Sequence, residues 1–191
     1  MKKKMSGTKK SIIVAIAIIL ILLLWLWGSY NSLITADEGV GEKWANVQSA
    51  YQRRIDLIPN LISTVQASAD FETNLQTQVT AMRSGLSTSA TPEDLEILGT
   101  KINSAINLVF EAYPEVKSTE AFITLQDQLE GTENRIKTER DIFNKAVKDY
   151  NIRVRRVPTN IVAGWFGFEK KVMFEADAGA DVVPDVSAIL G

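Results

Sequence analysis

The side chains best placed to do chemistry are ionic and amide groups in two stretches. Arg53, Arg54 and Asp56 precede Pro59-Asn60, and Glu130, Glu133, Asn134 and Arg135 form a second cluster much later in the chain. On neighbouring antiparallel helices the two would make a charged, amide-rich layer. One use of such a layer is a ligand or partner site at a helix kink, with Asp56 and Asn60 bonding the region of the Ile55 carbonyl or a guest. The more economical use is a closed polar network with Glu133, Asn134 and Arg135 that fixes helix register. Covalent and metal chemistry is poorly served. The sequence contains no His and no Cys, which excludes Ser-His-Asp and Cys-His catalysis and the histidine or thiolate zinc sites. Gly164 and Gly167 lie among bulky apolar residues and match no phosphate-binding loop. The pair Glu93/Asp94 is better explained as a complement to a helix N-terminus. No enzymatic activity, metal or cofactor is expected.

The elements that would position these groups are helical. Val40, Trp44, Val47, Tyr51, Ile55, Ile58, Ile62 and Val65, then Leu75, Val79, Met82 and Leu86, recur at three and four residues, the spacing of one buried helix stripe. A first helix over 40–86 is therefore expected, kinked but not stopped by Pro59. The polar stretch Gln66 to Asn74 is a second place for an irregularity. Thr91-Pro92-Glu93-Asp94 is a helix start, with a hydroxyl at the N-cap and proline in the first turn. Leu95, Leu98, Ile102, Ile106, Val109 and Tyr113 continue that second helix to Pro114. Ser118 or Thr119 caps a third, whose seam runs from Phe122 to Val154 with only Thr132 and Glu139 polar; these two read as register devices. Short connections make the helices antiparallel. A short helical segment, Ile161 to Phe168, follows. Its Trp165, Phe166 and Phe168, with Lys170 and Lys171 beyond, read as a hydrophobic cap on the bundle end or, second, as an interfacial foot or subunit contact.

Ile12 to Trp27 is an unbroken apolar run, and Ser11 to Tyr30 carries no charge. Its twenty residues meet the length that a hydrocarbon core of roughly 30 Å requires. Lys2, Lys3, Lys4, Lys9 and Lys10 lie before it and Asp37 and Glu38 after it, so the N-terminus is expected inside and the body outside. Trp25, Trp27 and Tyr30 suit the outer headgroup layer. A cleaved signal peptide would share the lysines and a small residue at Ala36. Its apolar region is shorter, however, and does not end in tryptophans. Five of the 21 Lys and Arg precede the span, leaving 16 against all 23 acidic residues, a net charge of −7. Such a body disfavours nucleic acid. The organisation expected is a basic cytoplasmic stretch at 1–10, a transmembrane helix at 11–30, a hinge at 31–41 using Gly39 and Gly41, a bundle at 42–170 and a loose tail at 171–191. The fold class is all-α: an N-terminal transmembrane helix and an elongated antiparallel bundle of three main helices plus a short C-terminal one.

The stretch from Trp44 through Tyr51, Arg53-Arg54, Asp56 and Pro59-Asn60 to Leu61 resembles the signature of the LemA family of bacterial membrane proteins. A second block, Tyr113 to Lys117 with Phe122 and Leu129 to Ile136, is similar to the family's second region. A third runs from Tyr150-Asn151 through Pro158-Thr159-Asn160, Ala163 and Phe166-Gly167-Phe168 to Phe174-Glu175-Ala176. The chain departs from the pattern at Phe71-Glu72, where relatives often carry His-Glu. The resemblance implies a membrane helix, an antiparallel bundle, a bacterial cytoplasmic (inner) membrane, and neither an established activity nor a cofactor.

These readings lead to an expected function: a single-pass anchored helical scaffold acting by protein contact, as a homo-oligomer and with a further protein partner. The alternative is an oligomeric membrane-remodelling or pore-like assembly, which the all-apolar anchor disfavours. A ligand sensor lacks a second span in this sequence to carry a signal inward.

Overall fold

The computed structural model describes residues 7–65, 68–87, 90–114 and 119–175, with only the backbone at 7–10. The basic residues Lys2 to Lys4, the tail beyond 175 and Ser118 lie outside the described residues. Five helices are present and no strand among the described residues: α1 (Gly7–Val65), α2 (Ala69–Ser84), α3 (Pro92–Ala112), α4 (Glu120–Arg155) and α5 (Thr159–Phe166).

Helix α1 has 59 residues, about 88 Å at 1.5 Å per residue. From Ile12 to Leu24 its apolar side chains are exposed, with no bundle packed over them, and Leu26 is already packed against the core. Among the described residues it is the helix long and apolar enough to cross a membrane. The glycine hinge expected at 31–41 does not form, because α1 passes through Gly39 and Gly41 unbroken. Packing explains this. Leu33, Val40 and Val47 are buried at heptad spacing, and Asp37 is held 2.7 Å from Lys171, so the flanking turns are fixed on both sides of the glycines.

Helix α1 also passes through Pro59, as expected. Proline is half-exposed there, so its ring stays off the buried seam. One turn on, the Ser63 and Thr64 hydroxyls donate to the Pro59 and Asn60 carbonyls at 3.1 and 2.8 Å. The single first helix over 40–86 is overturned: α1 ends at Val65 and the chain reverses. Ser68 begins α2, with Asp70 and Glu72 in its first turn; the Ser68 amide donates to the Tyr113 hydroxyl at 3.1 Å. Helix α2 folds back along α1, where Arg83 meets Asp56 at 2.7 Å and Gln48 donates to the Ser87 carbonyl at 2.9 Å. The body is thus four helices running up, down, up and down, plus α5.

Helix α3 starts at the expected place. Thr91 and Asp94 form a reciprocal capping box, and the Thr91 amide holds the exposed Asp94 carboxyl below its usual pKa. Helix α4 is capped by Thr119 and pairs with α1 from Glu133–Arg54 down to Arg153–Ser32. Its seam, Phe122, Leu125, Leu129, Ile136, Phe143, Val147, Tyr150 and Val154, is buried as the spacing predicts. Each such aliphatic or aromatic side chain contributes about 1.5–3 kcal/mol. Helix α5 ends at Gly167, whose φ of +74° is a left-handed C-cap.

The tail is not loose from residue 171. Asn151 and Asn144 on α4 each donate to and accept from an extended strap: Asn151 pairs with both backbone groups of Lys171 at 2.9 Å, and Asn144 with those of Phe174 at 2.9 and 3.1 Å. The spacings match. Seven helical residues rise about 10.5 Å and three extended ones about 10 Å.

Candidate functional site

Arg54 sits at a buried seam position of α1, in heptad step with Leu33, Val40, Val47 and Leu61, and is only 8% exposed. Its guanidinium joins three helices: Nη1 donates to Glu133 on α4 and Nη2 donates to Asn103 Oδ1 on α3 at 2.9 Å. Nε is buried without a hydrogen-bond partner. Burial pulls the Arg54 pKa down from its usual value, opposed by the neighbouring Tyr51, because a low-dielectric surrounding disfavours the charged form. Gly99 of α3 lies against Tyr51. A Cβ there would stand 3.4 Å from the Tyr51 ring, an ordinary van der Waals contact, so α3 packs directly on Tyr51 one turn before Asn103 reaches Arg54.

These groups line a cleft of about 400 Å³ that also takes in Asn134, Lys137 and the ion pair Arg140–Glu96 at 2.9 Å. Both signs of charge line it, Arg54, Lys137 and Arg140 with Glu96, Glu133 and Glu175. The arrangement can hold a polar or zwitterionic group, but contains no nucleophile activated by a base. Among the described residues no cluster of His, Cys, Asp or Glu could hold a metal ion.

The expected layer is therefore divided. Arg54, Glu133 and Asn134 come together at the cleft. Arg53 and Arg135 instead share a small crevice with Glu139, which is buried and paired with Arg135 at 2.8 Å. Asp56 faces α2, accepting from Gln52 at 2.9 Å and Arg83 at 2.7 Å. Asn60 is exposed. The expected bonding of Asp56 and Asn60 around the Ile55 carbonyl is thus replaced by the α2 contact, because the reversal after Val65 brings Arg83 to Asp56. Trp44 joins an aromatic group with Phe143 and Phe174, ring centres 5.1 and 5.9 Å from its own, and Arg140 lies 4.6 Å over Phe174.

At the other end, α5 buries Val162 and Ala163 but leaves Trp165 and Phe166 69% and 57% exposed. Phe166 and Phe168 lie against Tyr30, ring centres 4.6 and 6.0 Å apart. One face caps the bundle; the other is open beside the apolar run of α1.

Sequence reasoning missed Asn103, Glu96 and Arg140, which sit one residue off the apolar stripes and acquire partners only across helices. It also missed Asn144 and Asn151, although two amides seven apart on one helix face were visible.

The model of the LemA family matches residues 43–187. The chain is 22% identical to Protein LemA of Metamycoplasma hominis over 166 residues, covering 85% of this chain and 76% of that protein. It is 25% identical to the magnetosome proteins MamQ 1 and MamQ 2 of Paramagnetospirillum magneticum over 181 residues, covering 80% of this chain and 66% of each of theirs. The family match takes in α2 to α5, the bundle part of α1 from residue 43, the three-helix Arg54 junction and the strap, and the chain belongs to the LemA family.

Proposed function

We propose that this protein is a membrane-anchored scaffold that works by protein contact: it spans the bacterial inner membrane once, N-terminus inside, and self-associates through its helical body. The observation that carries this reading is the continuity of α1, which runs from an uncovered apolar segment directly into the bundle seam. Such a joint transmits orientation, so copies in one membrane stand parallel and meet at high effective concentration. A groove of about 670 Å³ between α2 and α3, floored by Met82 and Leu98 with Ile97 at its rim, offers an apolar surface for a neighbouring copy or another protein. The Arg54 junction serves as an internal brace. No catalytic role is assigned to the chain.

Light scattering on the detergent-solubilised full chain, with crosslinking in native membranes, tests this. The expected species is a multiple of the 21.1 kDa chain; a strict monomer in both measurements would refute self-association. The exposed Trp165 and Phe166 beside Tyr30 support a second reading, an assembly that deforms the bilayer. Dye leakage from liposomes on adding the protein would favour it.

A further inference from the structure

A cleft of about 800 Å³ opens where the apolar run of α1 meets the lower end of α4. The geometry points to this cleft as a binding site for the phosphodiester headgroup of a membrane phospholipid, a proposal that rests on α1 spanning the bilayer. Three observations converge on it. The first is depth: one wall is Trp25 to Ser32, the end of the apolar run, where a tryptophan ring prefers the headgroup layer. The second is charge. Arg153 and Arg156 line the cleft with Asp149, a net single positive charge that matches the single negative charge of a phosphodiester. Arg153 is already aimed, donating to the Ser32 hydroxyl at 2.8 Å; Arg156 is exposed and makes no ion pair among the described residues. Arginine forks suit phosphate oxygens, and hydroxyls such as Ser29 add neutral donors.

The third observation is the apolar rim. Ile152 and Val157, 51% and 74% exposed, stand beside the two arginines. A side chain at Gly28 would meet nothing within 4 Å, so this wall of the cleft is open. An acyl chain attached to the bound headgroup would have an apolar path from this rim onto the uncovered side chains of α1. The antiparallel pairing of α1 and α4 is what returns these arginines to the level of Trp25.

For the test, the full chain is reconstituted in phosphatidylcholine nanodiscs containing a minority of phosphatidylglycerol, then released into non-ionic detergent. Retained lipid is counted by native mass spectrometry. Wild type should keep phosphatidylglycerol. Arg153→Gln/Arg156→Gln should keep roughly tenfold less, the loss expected for charge-assisted bonds to one phosphate. Lys145→Gln, a single charge removal higher on the bundle for comparison with Arg156→Gln alone, should match wild type. Arg156→Gln alone, which breaks no internal bond, should show the same direction. Equal retention in all variants overturns the site, and so does displacement of the lipid by millimolar inorganic phosphate, which would mark a general anion site. Flotation with proteoliposomes reads the anchor separately. A chain that floats but shows no arginine dependence sinks the lipid site alone; one that fails to float sinks the spanning reading as well.

Discussion

The Arg54 guanidinium concentrates the electrostatic risk of the bundle in one side chain. It is buried, while its partner Glu133 remains about half exposed, so the pair lies at the edge of the low-dielectric interior. Glu133→Ala leaves the charge with only Asn103 and should lower stability by about 1–3 kcal/mol, below the range for a fully buried pair. Arg54→Met/Glu133→Ala should recover part of that loss in thermal melts, because the uncompensated charge is gone. Unchanged stability with lost partner binding would instead make the cleft a recognition site. Tyr150 gives a second prediction. Burial first, then the Asp37 carboxylate and its hydrogen bond, push this phenol from 10.0 up to about 12. A folded pKa above the unfolded one means the stabilisation is fully present below pH 10 and is lost as pH rises to about 12. Chemical melts across that window should show a steeper loss in wild type than in Tyr150→Phe.

At the scale of elements, the unbroken α1 invites a direct test. A Cβ at Gly39 or Gly41 meets nothing within 4 Å, and both residues are helical. Gly39→Ala/Gly41→Ala should therefore raise stability by about 0.5–1 kcal/mol per site without loss of protein contact. A gain in stability accompanied by loss of self-association would show that flexing at these positions is used. The helix boundaries were unevenly legible. Thr91-Pro92-Glu93-Asp94 could be read as a helix start because its bonds are local. Ser68-Ala69-Asp70-Phe71-Glu72 carries the same kind of signal, a hydroxyl before two first-turn acids, but the apolar rhythm resumes at Leu75 in a phase that a continued helix also satisfies. The Ser68 amide at the reversal bonds the Tyr113 hydroxyl at the C-terminal end of α3, and Arg83 and Ser87 bond back to α1; spacing within one segment does not reveal such partners.

For the whole molecule, the proposed anchor, continuous with the bundle through α1, predicts one-sided exposure. Protease added to intact spheroplasts should cut the body and spare the lysine-rich N-terminus if the body lies outside. Protection of the body until the membrane is broken would reverse the orientation. The candidate site was half legible at this scale. The charged stretches around Arg54 and Glu133 stood out, yet their division into a cleft, a crevice and an α2 contact depends on which way each side chain turns once four helices are assembled.

Composition and periodicity were enough to determine an all-helical chain with one uncovered apolar segment and long amphipathic seams, since backbone hydrogen bonds within a helix and the burial of one stripe depend on near neighbours. Tertiary structure decided the rest. It carried α1 straight through two glycines, turned the chain at Val65, seated a seam arginine between Glu133 and Asn103, and clamped the strap with two asparagines. Each outcome depends on partners far apart in the chain, and their energies arise only when packing removes water and brings those groups together.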